Sequence, residues 1–127
     1  MAGRTPRETV NQLMEAINRR ELDAAVALYE PDATLLAEPG KPARGKPAIR
    51  AALEGFIALT PTLIGQTDQT IESGHVALFC SKWSLTGTGP DGKPMQLGGL
   101  SSDILRRQAD GAWLIVIDNP WGTAILG

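Results

Sequence analysis

Apolar side chains recur along the chain with two different periods. In the first half they return every three or four residues, as in the stripe formed by Val10, Leu13, Met14 and Ile17, which is the spacing of one helical face. From Thr62 onward, apolar and polar residues tend to alternate, which is typical of strands. A helical half followed by a strand-rich half predicts an α+β fold.

Capping residues and prolines mark the helix boundaries of the first half. Thr5 and Glu8 have the spacing of a capping box, and Pro6 stands at the first helical position, where its missing N–H is not needed. Prolines end the later helices. The predicted elements are a helix from Thr5, a short helix over Glu21 to Tyr29, a strand over Ala33 to Ala37, a loop over Glu38 to Pro47, and a helix from Pro47 to near Thr60.

The second half predicts an antiparallel meander, and its last turn has two interpretations. The four strands cover Thr62 to Glu72, Val76 to Leu85, Met95 to Arg107, and Ala112 to Asn119. A two-residue turn at Asp110-Gly111 would set Asp103 opposite Asp118, where two like charges about 5 Å apart repel. We predict instead a three-residue loop, Ala109 to Gly111, with a left-handed glycine, which sets Asp103 opposite Ile117.

The three-residue loop fixes which side chains share a face of the last hairpin. One face carries Ser101, Asp103, Leu105, Ile115, Ile117 and Asn119, and the other carries Leu100, Ile104, Leu114 and Val116. Both faces are largely apolar, which is unusual for an antiparallel sheet with one side in water. We therefore expect helices to cover one face and a second copy of the chain to cover the other, giving a homodimer through the sheet.

Composition excludes several classes of function. The chain has 127 residues, of which 43% are hydrophobic, so we expect one domain over residues 1–127 with one core. Twelve basic and 14 acidic side chains, with no clustered basic face, argue against a nucleic-acid partner. No eighteen apolar residues run together and no apolar segment follows the charged N-terminus, so we expect no membrane contact and a cytoplasmic location.

Three motifs together carry a resemblance to a known superfamily. They are Tyr29 to Ala33 (YEPDA), Arg44 to Ile49 (RGKPAI), and Asp118 to Gly122 (DNPWG) at the end of the meander. Their order and spacing resemble the nuclear-transport-factor-2-like superfamily, and more narrowly its SnoaL-like and ketosteroid-isomerase-like bacterial branch. The resemblance implies a cone-shaped, cystatin-like fold, in which N-terminal helices pack on a curved mixed or antiparallel sheet that encloses a pocket.

The functional positions of ketosteroid isomerase carry over only in part. The oxyanion-binding tyrosine of its first helix would fall at Leu13, which can donate no hydrogen bond. Its general-base aspartate falls near Ala37 or, with a shift of one residue, at Glu38. Its second aspartate, which is held protonated as a hydrogen-bond donor, falls at Asp103. The superfamily contains isomerases, dehydratases, cyclases, hydrolases and proteins without catalysis, so the fold does not decide the activity.

Asp103 and Glu38 are the candidate catalytic residues. An aspartate among apolar neighbours is desolvated, which raises its pKa and suits it to donate a hydrogen bond or to act as general acid or base. The alternative for Asp103 is a structural role, paired with a backbone group or an arginine. Glu38 could be a second carboxyl group at the pocket mouth, or simply a solvated loop residue.

The candidate substrate-binding residues combine aromatic, apolar and polar side chains, the usual composition of a small-ligand site. They are Trp83, Trp121, Asn119, Ser101, Phe79, Ile117, Tyr29 and Leu13. Phe79 has an alternative role as ordinary core, Asn119 as the residue that ends its strand, and Tyr29 as the last apolar residue of its helix.

Neither a metal nor a cofactor is expected. Cys80 is the only cysteine and His75 the only histidine, so a cysteine-based zinc site or a histidine cluster cannot form. Gly87 to Lys93 fits the start of a phosphate-binding loop, but Pro94 replaces its serine or threonine and strands lie on both sides.

The expected function is a cofactor-independent enzyme that transfers a proton on a small hydrophobic, carbonyl-type molecule, as an isomerase, cyclase, dehydratase or hydrolase. Asp103 would be its acid or hydrogen-bond donor. Two alternatives stay open: a protein that binds a hydrophobic metabolite without catalysis, and a dimeric interaction module with a vestigial cavity.

Overall fold

The first helix begins where its capping residues predict. In the computed structural model, which describes residues 2–127, the Thr5 hydroxyl accepts a hydrogen bond of 3.1 Å from the backbone N–H of Glu8. Pro6 opens the helix, and the predicted stripe supplies its buried residues Val10, Leu13 and Ile17. Capping and amphipathic spacing together therefore determine where the helix begins and which side it buries.

The described residues form three α-helices and six strands. The helices are α1 (Pro6–Asn18), α2 (Leu22–Val26) and α3 (Lys46–Ile57), and the strands are β1 (Tyr29–Glu38), β2 (Lys41–Arg44), β3 (Thr62–Ser73), β4 (Val76–Thr88), β5 (Pro94–Arg107) and β6 (Trp113–Asp118). A short 3-10 helix, Gly122–Leu126, follows the last strand. No helix of residues 2–127 is long and apolar enough to cross a membrane.

The strands form one open, mixed sheet in the order β2-β1-β6-β5-β4-β3. The predicted meander of β3 to β6 is confirmed as antiparallel throughout, and β1 joins it in parallel beside β6. Two predicted boundaries are wrong. Tyr29 does not end the second helix but begins β1, opposite Ile115, and the predicted loop after β1 contains the edge strand β2.

The last hairpin confirms the three-residue loop but not the register beyond it. Gly111 is left-handed, with φ of 86°, and Arg107 pairs with Trp113 as predicted. After Leu105 and Ile115 the register shifts by one residue, because Val116 forms a β-bulge in β6, and Ile104 then pairs with Ile117. The predicted pairing of Asp103 with Ile117 is therefore wrong.

The bulge decides on which face of the sheet the side chains at the end of β6 lie. Ile117 lies on the outer face, where it is 40% exposed, and Asp118 turns into the core side. The inner face packs against α1 and α3 around a core that includes Leu53, Leu105 and Ile115. The outer face carries four aliphatic residues in successive strand pairs, the outer aliphatic row, formed by Ile71, Leu78, Ile104 and Ile117.

Candidate functional site

A cavity of about 90 Å³ lies between the helices and the inner face of the sheet. Its walls are mostly aliphatic and aromatic, from Val10, Leu13, Met14, Ile17, Tyr29, Leu35, Leu53, Phe56, Leu63, Trp83, Leu85 and Pro120, with Ser81, Ser101, Asp103 and Asp118 as the polar members. Met14, Phe56 and Leu63 are half-buried and come from α1, α3 and β3, so the cavity opens between these elements. A few convergent polar groups in an apolar enclosure are typical of a small-ligand site.

Two aspartates meet at the polar end of this cavity. Asp103 comes from β5 and Asp118 from the end of β6; both are buried, and their carboxyl groups lie close enough to share a hydrogen bond. The Tyr29 hydroxyl donates a hydrogen bond of 2.5 Å to Asp118 Oδ2. The backbone N–H of Asn119 donates one of 2.8 Å to Asp103 Oδ1. We call Asp103 and Asp118 the acid pair.

The environment raises the pKa of both members of the acid pair. Burial is the main cause of a pKa well above the usual range at Asp103, and the negative charge of Asp118 adds to it. Burial also raises the pKa of Asp118, while hydrogen bonds from Tyr29 and Asp103 oppose the increase. Since two adjacent buried carboxylates cannot both ionise, the pair holds one proton in common. The Tyr29 hydroxyl donates a hydrogen bond to Asp118, which favours the charge on Asp118 and the shared proton on Asp103.

The proton of the acid pair has a defined place. Asp103 Oδ1 accepts the Asn119 N–H, so the proton of a neutral Asp103 belongs on Oδ2. Burial, together with the neighbouring charge of Asp118, also raises the pKa of Tyr29 above its usual value, so its hydroxyl stays protonated and remains a donor. Three groups thus form one network with a neutral acid, a carboxylate and a fixed donor.

A second polar point in the wall is made by two serines. Ser81 of β4 lies directly opposite Ser101 of β5, and their Oγ atoms are 2.6 Å apart. Ser101 Oγ also accepts a hydrogen bond of 3.1 Å from the Ser81 N–H. We call Ser81 and Ser101 the serine pair.

The two predicted tryptophans meet, but only Trp83 lines the cavity. Trp83 and Trp121 pack edge to face with ring centroids 5.6 Å apart. Each indole N–H already has a backbone partner, since Trp83 Nε1 donates to the Pro120 carbonyl oxygen at 2.7 Å and Trp121 Nε1 to that of Leu36 at 2.8 Å. Trp83 therefore offers a ligand its apolar ring.

The cavity brings together half of the predicted site residues. Asp103, Ser101, Trp83, Tyr29 and Leu13 line it. Tyr29 does so from β1, and Leu13 contributes apolar surface where a donor would be needed for oxyanion binding.

The other five predicted residues lie elsewhere. Phe79 is fully buried in the core, and Ile117 is on the outer face because of the bulge. The Asn119 side chain closes the turn after β6, donating to the Gly122 carbonyl oxygen at 3.1 Å and accepting from the Trp121 N–H at 3.2 Å. Glu38 points to solvent and pairs with Lys41 at 3.1 Å. Trp121 supports Trp83 from outside the cavity.

Sequence reasoning missed Asp118, and the signal was present. Two facing aspartates repel each other only if both carboxyl groups are ionised. When burial keeps one of them protonated, the same proximity gives a hydrogen bond instead. A buried aspartate at a strand end opposite another aspartate therefore indicates a pair that shares a proton.

The arrangement can donate and accept a proton at one point in an apolar enclosure. Among residues 2–127, no group of three or more histidine, cysteine, aspartate or glutamate side chains is placed to hold a metal ion. An acid beside its conjugate base is suited to general acid–base catalysis, because one group can protonate a reacting oxygen while the other removes a proton nearby.

Comparison with known proteins shows the family and the fold of the chain. The family model of the SnoaL-like domain matches residues 10–116, and no curated protein matches the chain in sequence. Similar solved structures include a nuclear-transport-factor-2-like protein with a cystatin-like fold from Novosphingobium aromaticivorans, with a TM-score of 0.76 at 17% identity over 95% of this chain and 86% of that one.

Two further structures are named for enzymes. A ketosteroid-isomerase-like protein from Shewanella frigidimarina has a TM-score of 0.74 at 20% identity over 86% of this chain and 88% of that one. The epoxide hydrolase/cyclase-like enzyme SalBIII, described for pyran ring formation in the polyether salinomycin, has a TM-score of 0.71 at 17% identity over 88% and 85%. At these identities the likeness establishes the fold alone, and it confirms the predicted cystatin-like α+β architecture.

Proposed function

The chain belongs to the SnoaL-like family, and we propose that it is an enzyme that transfers a proton on a small hydrophobic carbonyl compound without a cofactor. The observation that carries the proposal is the acid pair, buried with Tyr29 at the end of an apolar cavity. A protein that only binds an apolar ligand gains nothing from two buried acids, because their desolvation costs free energy.

The proposed reaction begins when the substrate carbonyl takes the place of Asp118 as partner of the Asp103 proton. Asp103 Oδ2 then donates to the carbonyl oxygen, and the Asp118 carboxylate is freed to remove a proton from the adjacent carbon. The C–H electron pair moves into the new C=C bond and the carbonyl oxygen receives the Asp103 proton, giving an enol. Return of a proton to another carbon gives an isomer, and loss of a β-hydroxyl group as water gives an unsaturated product.

Solvent deuterium exchange tests this proposal without knowledge of the natural substrate. In D₂O, the protein should catalyse deuterium incorporation at the α-carbons of cyclohexanone or another small apolar ketone, measured by mass spectrometry or proton NMR. Asp103→Asn and Asp118→Asn should each reduce the rate about 100-fold or more, the usual contribution of a general acid or base. Glu38→Gln removes an exposed carboxyl group and serves as the matched control.

Two outcomes would contradict the proposal. One is exchange with the wild-type chain that is no faster than exchange in buffer without protein, for every small ketone tried. The other is exchange that Asp103→Asn leaves unchanged, since that activity could not come from the acid pair.

A non-catalytic binding protein is the second candidate, and Leu13 favours it. This residue lines the cavity as an apolar side chain, so the acid pair has no helix-borne donor facing it from that position. Under this alternative the ketones bind but do not exchange, and Asp103→Asn, which is neutral and nearly the same shape, keeps their affinity. The exchange experiment and a binding titration together separate the two functions.

We further propose that a second copy of the chain covers the outer face of the sheet. Strands β3, β4 and β5 have 12, 13 and 14 residues, and at a rise of about 3.3 Å and a spacing of about 4.8 Å they present roughly 600 Å². A typical interface buries about 800 Å² on each partner. With β6 beside them, these strands supply most of that area, with the outer aliphatic row at its centre.

A further inference from the structure

The serine pair is unusual among the polar groups of the cavity because it has one more donor than the protein uses. Ser101 is 7% exposed and Ser81 half-buried, and both line the cavity on the inner face. Their Oγ atoms, 2.6 Å apart, share one hydrogen bond. Whichever hydroxyl donates it, the hydrogen of the other hydroxyl is left over.

We propose that the serine pair donates this remaining hydrogen bond to a second oxygen of the substrate, so that the substrate is an apolar molecule with two oxygen functions. The inference rests on the proposed function, since it places the first oxygen, the reacting carbonyl, at the acid pair. Ser101 Oγ already accepts from the Ser81 N–H, which fixes the position of the pair while leaving its spare hydrogen free to turn toward a ligand.

The spacing of the two polar points limits the substrate. Ser101 and Asp103 are two residues apart on β5 and share its inner face, so their Cα atoms are roughly 6.5–7 Å apart. Two donors at that separation can each reach one oxygen of a single small ring or short chain, at hydrogen-bond lengths of about 2.7–2.8 Å. A molecule with its oxygens on opposite sides of a six-membered ring has this form.

The cavity volume agrees with a small reacting group. A volume of about 90 Å³ is well below the roughly 300–1,000 Å³ of pockets that enclose drug-sized ligands. A substrate therefore places its two-oxygen end between the acid pair and the serine pair, and any larger apolar remainder extends through the opening beside Met14 and Phe56.

A matched pair of ketones tests the inference. Cyclohexanone and cyclohexane-1,4-dione share one ring, and the dione adds one acceptor oxygen. The wild-type chain should bind the dione about tenfold more tightly, of which twofold comes from its two equivalent carbonyl groups and the rest from one neutral hydrogen bond. Dissociation constants are measured by NMR titration, which needs no turnover.

Substitutions assign the preference to the serine pair. Ser81→Ala together with Ser101→Ala should reduce the preference for the dione to about twofold. Ser81→Ala alone should keep it, because Ser101 then still has a free hydrogen. Ser102→Ala is the matched control, since Ser102 follows on the same strand but faces outward opposite Cys80.

The inference is overturned if the wild-type chain prefers the dione by only twofold, or if the double variant keeps the full tenfold preference. The first of these results needs only the wild-type chain, so it can be obtained even if the double variant does not fold. Failure of the proposed function looks different, because it removes deuterium exchange and not the dione preference. Asp103→Asn should keep the preference while losing exchange, and Ser102→Ala, on the outer face, should keep both.

Discussion

Ile115 and Ile117 lie two residues apart on β6, and in a regular strand they would share a face. Ile115 is fully buried on the inner face, whereas Ile117 is 40% exposed on the outer face. The difference comes from the bulge at Val116, which also turns Asp118 inward to meet Asp103. One inserted residue therefore both completes the acid pair and places the last member of the outer aliphatic row, so the two faces of the sheet depend on the same local irregularity.

The largest expected change in stability comes from placing a lysine on the inner face, and the same substitution on the outer face is its control. Ile115→Lys buries an unpaired ammonium group in the core and should lower the free energy of unfolding by about 3–5 kcal/mol or prevent folding. Ile117→Lys, two residues away, should lower it by less than about 0.5 kcal/mol in the monomer, because its ammonium group stays in water. Urea denaturation at low protein concentration measures both. Equal losses would mean that the two side chains do not lie on different faces.

A smaller loss is expected from Tyr29→Phe, which removes the donor to Asp118. The buried carboxylate then lacks one hydrogen bond, and hydrogen bonds to charged groups contribute about 1.5–3 kcal/mol to stability. Since the Tyr29 hydroxyl opposes the rise in the pKa of Asp118, its loss should raise that pKa further.

The pH profile separates this positioning role from general destabilisation. If Asp118 is the base, the acidic side of the pH–rate profile of deuterium exchange should move to higher pH in Tyr29→Phe, with the rate at high pH less affected. An unshifted profile with a uniformly lower rate would show that Tyr29 only supports the fold.

The acid pair also predicts how stability depends on pH. The pKa of Asp103 is higher in the folded chain than the value of about 3.9 in the unfolded chain. The folded chain therefore binds more protons between these two values, and its free energy of unfolding falls as pH rises through the raised pKa of the folded state. The protonated Asp103 contributes fully to the free energy of unfolding below about pH 3.9. This contribution is lost once the pH exceeds the pKa of Asp103 in the folded chain.

Asp103→Asn should flatten that decline, because the amide has no proton to release. It should gain stability relative to the wild type as pH rises, by about 1.4 kcal/mol for each tenfold difference in proton affinity between the folded and unfolded states. Urea denaturation from about pH 4 to about pH 9 measures the difference. Asp32→Asn, at an exposed position, is the control and should follow the wild-type slope. A parallel slope for Asp103→Asn would mean that Asp103 is ionised in the folded chain.

Particular residues show what could be predicted from the sequence. The cap at Thr5 and the stripe through Leu13 predicted α1, and the turn residues predicted the meander and the left-handed Gly111. Local patterns of this kind report on local structure. The bulge at Val116 could not be predicted in this way, because it depends on β6 pairing with β1 and β5 at once. Tyr29 was misplaced for a similar reason: its parallel pairing with β6 overrides the helical pattern that precedes it.

A substitution in the outer aliphatic row should have the smallest effect on folding but a large effect on assembly. Ile71→Lys places a charge on the edge strand β3 at a position that is 61% exposed, so the stability of the monomer should change by less than about 0.5 kcal/mol. In a two-fold dimer each copy brings the same residue to the interface, so one substitution introduces two ammonium groups there. Light scattering coupled to size exclusion should then show a dimer for the wild type and a monomer for the variant. Asn11→Lys adds the same charge on the exposed side of α1 and should stay dimeric. A monomeric wild type would contradict the proposed dimer. The bulge at Val116 would then serve to complete the acid pair, and its placement of Ile117 in the outer aliphatic row would have no role in assembly.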